Sequence, residues 1–297
     1  MAKPKRKKKP AAPAEEVYFP IALRNVPAEI AIGDERIIFH GVNKSGSGMI
    51  TEVLYKAYMK EGKEDQIFSF YQGKPASSKG LREAIATSES GKRILFVDHY
   101  LFGSGVTKQV DCTFVSQFRY PLPRVVSCYF WLKKRHAQAK REDPFPSLDE
   151  WVRSTGGKGH SQIAQFGLGF TPSRAERLKK TTPEQLFEKS LENIEKHVRW
   201  FGIAEHFEES IFVMAHLCGL QAVPAWRKDN RNKSRTPIDE LEPETVALIK
   251  DVFAYDFKLY DHVLGIFKSR IAGIDFGDSF QAYREACADQ YKDRVLL

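Results

Sequence analysis

Five consecutive residues, Lys44, Ser45, Gly46, Ser47 and Gly48, have the chemistry to hold an anion. The apolar run Ile37, Ile38, Phe39 leads into them. Met49, Val53, Leu54, Ala57 and Tyr58 follow at helical spacing. Strand, glycine-rich turn and helix is a layout that cradles phosphate. Glycines let backbone N–H groups approach an anion, and the helix N-terminus adds partial positive charge. In the common nucleotide triphosphate loop the lysine and a Ser or Thr come after the second glycine. Here Lys44 and Ser45 come before Gly46. The same stretch would also suit an ordinary βα connection.

A second group runs from Arg119 to Trp131, RYPLPRVVSCYFW. Arg119 closes a strand and Ser127 lies two helical turns further on, so both can face the strand's carboxyl end. A guanidinium plus a hydroxyl suits a phosphate monoester, because arginine gives charge-assisted and often bidentate bonds. A salt-bridged arginine beside an incidental serine would use the same residue types.

The elements that must position these groups read as a parallel α/β sheet. Strands are expected at Ile37–Phe39, Ile67–Tyr71, Arg93–Asp98, Asp111–Phe118 and Val198–Gly202. The run RILFVD is almost wholly apolar, as a strand buried on both faces would be. Helical segments between strands imply right-handed crossovers and a ligand site at the strands' carboxyl ends. The turn after Phe39, His99 and Arg119 all fall there. Helices are expected from Leu122 to about Gln138, from Pro183 to about Lys196, from Glu205 to Leu217, from Pro243 to Arg270 as one piece, and from Ser279 to about Asp293. Residues 141–173 read as a long loop with one short helix near Leu148–Arg153, of the kind that carries binding function. The run Trp226–Thr236, WRKDNRNKSRT, has almost nothing apolar and must be a surface loop.

Taken together, the turn KSGSG and the later R-x-P-x-x-R-x-x-S-x-Y strand–helix resemble the sulfotransferases that use 3′-phosphoadenosine 5′-phosphosulfate (PAPS). The likeness is greatest to the carbohydrate group that contains the uronosyl (heparan and dermatan sulfate) 2-O-sulfotransferases. The stretches ILFVDHYLF, HVRWFGIAEHFEESI and DFKLYDHVLGIF extend it over roughly residues 36–270. The resemblance implies a single P-loop-like α/β domain over residues 17–297, with a parallel sheet flanked by helices. It implies that the backbone of Ser45, Gly46, Ser47 and Gly48 holds the 5′-phosphate of PAPS, with Ser47 Oγ assisting. Lys44 would stabilise charge on the leaving phosphate, and Arg119 and Ser127 would bind the 3′-phosphate. Asn232, Lys233, Ser234, Arg235 and Thr236 would form a basic flap over the cofactor. His99 would take the acceptor hydroxyl's proton, a task an imidazole with a pKa near 6.5 can perform at neutral pH. PAP would be the product, no metal would be needed, and the acceptor would be a carbohydrate hydroxyl.

The chain departs from that pattern in three places. Asn43 stands where the family usually has proline before the lysine. Arg119-Tyr120-Pro121 replaces an Arg-Asp-Pro. Val97 replaces the first of two histidines, leaving His99 alone. Two other classes keep the same features: a P-loop kinase or nucleotide hydrolase, and a non-catalytic binder of anionic glycans.

Composition narrows the field. The 297 residues are 42% hydrophobic and 12% aromatic, as a folded globular protein requires. Of the formal net charge of +8, six basic residues sit in MAKPKRKKKP, so the rest is nearly balanced and the high pI does not argue for nucleic acid. Residues 1–16 read as a disordered basic tail able to touch anionic polymers. No apolar run reaches the ~18 residues of a transmembrane helix, and the tail lacks the apolar core of a secretory signal. Cys112, Cys128, Cys218 and Cys287 show no metal or disulfide spacing, so reduced thiols and a cytoplasmic location are expected.

Overall fold

The computed structural model describes residues 16–32, 36–69, 94–98, 112–154, 159–168, 178–226 and 236–289. Its centre is a sheet of five strands: β2 (Arg36–Gly41), β3 (Ile67–Ser69), β4 (Ile94–Asp98), β5 (Cys112–Phe118) and β6 (Val198–Ile203). The spatial order is β3-β4-β2-β5-β6, and every neighbouring pair is parallel. Strand β2 lies in the middle. Its Ile37, Ile38 and Phe39 are 0–1% exposed, as strands of a sheet covered on both faces must be. From β2 the chain goes to the edge strand β3, steps back to β4 and then crosses β2 to β5, so the strand order reverses beside the carboxyl end of β2.

Helices cover this sheet: α1 (Ser47–Lys60), α2 (Pro121–Gln138), α3 (Leu148–Arg153), α4 (Gln162–Gly167), α5 (Pro183–His197), α6 (Phe207–Leu217), α7 (Pro243–Val252), α8 (Ala254–Ile271) and α9 (Asp278–Asp289). Several begin where local chemistry dictates. Thr182 and Ser147 each form a capping box with the residue three positions on, Gln185 and Glu150. A short antiparallel pair, β1 (Tyr18–Pro20) with β7 (Ala222–Pro224), closes one side.

The large core centres on Phe39, Tyr58, Phe118, Trp200, Phe201 and Phe212. A second, smaller cluster joins Val125, Tyr129, Trp151, Ile249 and Phe253 between α2, α3 and α7. Two expectations are corrected here. Residues 243–270 form two helices, not one. Phe253 leaves helical geometry (φ −106°, ψ 24°) and buries its ring in the smaller cluster, and α8 begins after it. The stretch expected as a long loop holds a second helix, α4, besides α3. The side chain of Ser161 caps it by accepting from Ala164 N, and it presses so closely on α5 that a Cβ on Gly167 would overlap the Leu186 carbonyl.

Candidate functional site

The turn after β2 is tight. Val42 O accepts from both Ser45 N (3.2 Å) and Ser45 Oγ (2.8 Å). Lys44 adopts φ 64° and Gly46 φ 93°. A left-handed conformation at a non-glycine residue costs about 1–2 kcal/mol, and such strain collects at functional positions. The reversal at Gly46 aims the chain directly into α1, whose first turn carries no acidic side chain. The first amides of a helix have no intrahelical acceptor, so Ser47 and Gly48 bring N–H groups and positive dipole to this point. Gly48 is exposed, and a Cβ built on it would meet nothing within 4 Å. The turn is therefore open at Gly48, while Ser45 and Ser47 are buried.

Arg119 emerges from β5, the strand hydrogen-bonded to β2. Register runs Phe39↔Val115 and His40↔Ser116, and Ser116 Oγ donates to His40 O at 2.8 Å. Past the ladder, Arg119 Nη1 donates to Lys44 O at 3.2 Å. The guanidinium and the lysine-bearing turn thus share one rim. Ser127 lies two turns into α2 and is half-buried. Four residues further on, the Trp131 ring has Lys44 Nζ 5.8 Å and Arg135 Cζ 5.1 Å from its centroid, within cation–π range.

The Arg119–Tyr120 turn is pinned from outside its strand. Gln162 Oε1 accepts from Arg119 N (3.2 Å) and Gln162 Nε2 donates to Arg119 O (3.1 Å). Glu205 Oε1 accepts from Tyr120 N (3.0 Å), and Glu205 Oε2 accepts from the Tyr260 hydroxyl (3.0 Å). Burial first, and the Glu205 carboxylate second, push the Tyr260 phenol well above its ordinary value, so it stays a donor. Tyr120 is the N-cap of α2, where negative charge is favoured. The Glu205 carboxylate thus reaches this helix end from just beyond β6.

Behind the rim lies a fully buried ion pair. Arg124 Nη2 and Asp256 Oδ2 are 2.8 Å apart, with side chains 1% and 0% exposed. Asp256 also accepts from Gln162 N and Ile163 N, both at 2.9 Å. Burial pushes the Asp256 carboxyl up, while Arg124 and the two amides pull it down.

Of the residues singled out from sequence, the structure brings Lys44, Ser45, Gly46, Ser47, Gly48 and Arg119 together on one rim. His99 and Asn232–Arg235 lie outside the described residues. His99 follows directly on Asp98, which pairs with Gly41 at the same sheet edge. Thr236 is half-buried, and no contact joins it to the rim among the described residues. Sequence reasoning missed Gln162, Gln165, Glu205, Arg124 and Asp256 as parts of the site. Asn43 was an available signal, since its buried N–H needs an acceptor from elsewhere in the chain. Among the described residues no group of three or more His, Cys, Asp or Glu side chains is placed to hold a metal, and no helix is long and apolar enough to cross a membrane.

The fold and rim define an α/β protein with a parallel sheet whose central strand ends in a glycine-rich turn beside an arginine. Among solved structures, the chain is similar to mouse sulfotransferase SULT7A1 complexed with PAP, at 11% identity over 86% of this chain and 90% of that one, with a TM-score of 0.32. It is also similar to retinol dehydratase in complex with androsterone and inactive cofactor PAP, at 13% identity over 79% and 82% of the chains, with a TM-score of 0.28. No protein-family profile matches the chain, and no curated protein matches it.

Proposed function

We propose that this protein is a PAPS-dependent sulfotransferase that acts on a hydroxyl, with a carbohydrate as acceptor. The observation that carries the reading is the 3.2 Å bond from Arg119 Nη1 to Lys44 O, which joins a lysine-bearing glycine turn and an arginine on adjacent parallel strands. One phosphate site needs only a turn and a helix end. A second cationic group on the neighbouring strand suits a ligand with phosphate at two places. When bound, PAPS supplies the sulfuryl group to be transferred.

The chain's own residues then have distinct tasks. The amides of Ser45–Gly48, with Ser47 Oγ, hold the 5′-phosphate. Lys44 stabilises the charge that develops there during transfer, a contribution that a dry, preorganised site makes large. Arg119 and Ser127 hold the 3′-phosphate, and Asn232–Thr236 close over the nucleotide. His99 accepts the proton of the attacking hydroxyl. The four cysteines form no disulfide, in keeping with a cytoplasmic location.

Thermal unfolding with PAP, Mg·ATP and heparin, followed by transfer of radiolabelled sulfuryl groups to a panel of glycans and small hydroxyl compounds, tests this. Stabilisation by PAP and label on a glycan are the expected results. Stabilisation by Mg·ATP alone would make the protein a kinase or nucleotide hydrolase. Stabilisation by heparin alone would make it a glycan binder.

A further inference from the structure

Helix α4 has six residues, and two of them, Gln162 and Gln165, bury their amides at 0% and 1% exposure. A buried amide left unbonded costs about 1–3 kcal/mol, so such positions call for partners. Both find them on the backbone of the anion-binding rim. Gln162 holds Arg119 by its N–H and its carbonyl at 3.2 and 3.1 Å. Gln165 Oε1 accepts from Asn43 N at 3.0 Å. Residues three apart on a helix are neighbours, so one short helix grips both turns.

The β2–β5 ladder cannot do this by itself. Its last paired residues are His40 and Ser116. Asn43 and Arg119 each lie three positions beyond, where no strand register controls their separation. The grip continues the tie past the sheet, and α4 is itself immobilised. Asp256 holds its first two amides, Arg124 Nη1 holds His160 O at 2.7 Å, and Ser190 Oγ and Asn193 Nδ2 hold the carbonyls of Ile163 (2.9 Å) and Phe166 (2.8 Å). The bond depends on Asn43 having a backbone N–H to give. A proline there, as in the sulfotransferases the chain resembles, has none.

We infer that Gln162 and Gln165 are positioning residues that preset the distance between the two anion-binding turns, making the site selective for a nucleotide phosphorylated at both ends over one with a single phosphate. This rests on the reading of the rim as a PAP site. A ligand that touches one turn is indifferent to where the other stands. A ligand that spans both gains from a spacing fixed beforehand, because less freedom is lost on binding.

Calorimetric titration of the full chain with PAP and with adenosine 5′-phosphate tests it, using Gln162→Met, Gln165→Met, Asn43→Pro and the Asn43→Pro/Gln165→Met double variant. Losing one or two backbone bonds should raise the Kd for PAP by about 3- to 10-fold in each single variant, and that for adenosine 5′-phosphate by less than about twofold. Asn43→Pro and Gln165→Met remove the same bond from opposite sides, so the double variant should lose no more than the worse single one. Asn43→Pro leaves α4's own sequence untouched and covers the case in which a helix variant does not fold. Equal weakening for both nucleotides, unchanged PAP binding, or additive losses in the double variant would overturn the inference alone. A wild-type protein that fails to bind PAP would overturn the underlying reading, and the inference with it.

Discussion

Replacing Asp256 with alanine should destabilise the whole fold although the residue touches no ligand. Its carboxylate accepts three bonds, from Arg124 Nη2 at 2.8 Å and from the amides of Gln162 and Ile163 at 2.9 Å. Without it, Arg124 remains charged at 1% side-chain exposure, because a guanidinium does not deprotonate in proteins. Removing one partner of a buried pair costs about 3–5 kcal/mol. At ~2 °C per kcal/mol for a large domain, the melting temperature should fall by about 6–10 °C. Thermal unfolding followed by circular dichroism measures this directly. The double change Arg124→Met/Asp256→Leu should recover part of the loss, because apolar groups often substitute for such a pair at little cost. A fall of less than about 2 °C for Asp256→Ala would refute the reasoning. So would a double variant that loses the sum of the two single losses.

Four further outcomes are expected. Lys44→Ala should cut sulfuryl-transfer turnover by roughly 10² or more, measured with labelled donor. Arg119→Ala should weaken PAP binding roughly ten- to hundredfold but adenosine 5′-phosphosulfate far less, by competitive titration. Gly167→Ala forces α4 away from the Leu186 carbonyl and should cost about 1–3 kcal/mol, read as a fall of ~2–6 °C in thermal unfolding. Burial holds His216 below the ordinary imidazole value, so the fold favours its neutral form. That contribution is complete above the unfolded value near 6.5 and is lost as pH falls through the lower folded value. The melting temperature should therefore drop as pH falls below about 7, and His216→Gln should flatten the drop.

The apolar run of β2, the glycines behind it and the strand before Arg119 were legible because a buried parallel strand and its turn carry their signal locally. Helix α4 was not. QIAQFG is too short to show a period, and its polar side chains point inward against the usual pattern. Asp256 sits inside an apolar helical stretch, where the residue type alone does not announce a buried ion pair. The break at Phe253 has no proline or glycine to announce it, and the ring there is buried. The rim's tips could be read because they are sequence-local. The bonds that hold them join residues up to 132 positions apart and leave no periodic trace.

The pairing of β1 with β7 also sets a schedule. Tyr18–Pro20 finds its strand partner among the described residues at Ala222–Pro224, and α9 then seals it, with Ser279 Oγ on Pro20 O at 2.7 Å and the Tyr283 ring edge-on to Phe19 at 5.5 Å. At about 5–20 residues per second, some two hundred residues separate these segments by roughly 10–40 s on the ribosome. Strand β1 leaves the ribosome long before β7 and must wait for it, so the nascent chain carries an unmated edge until then.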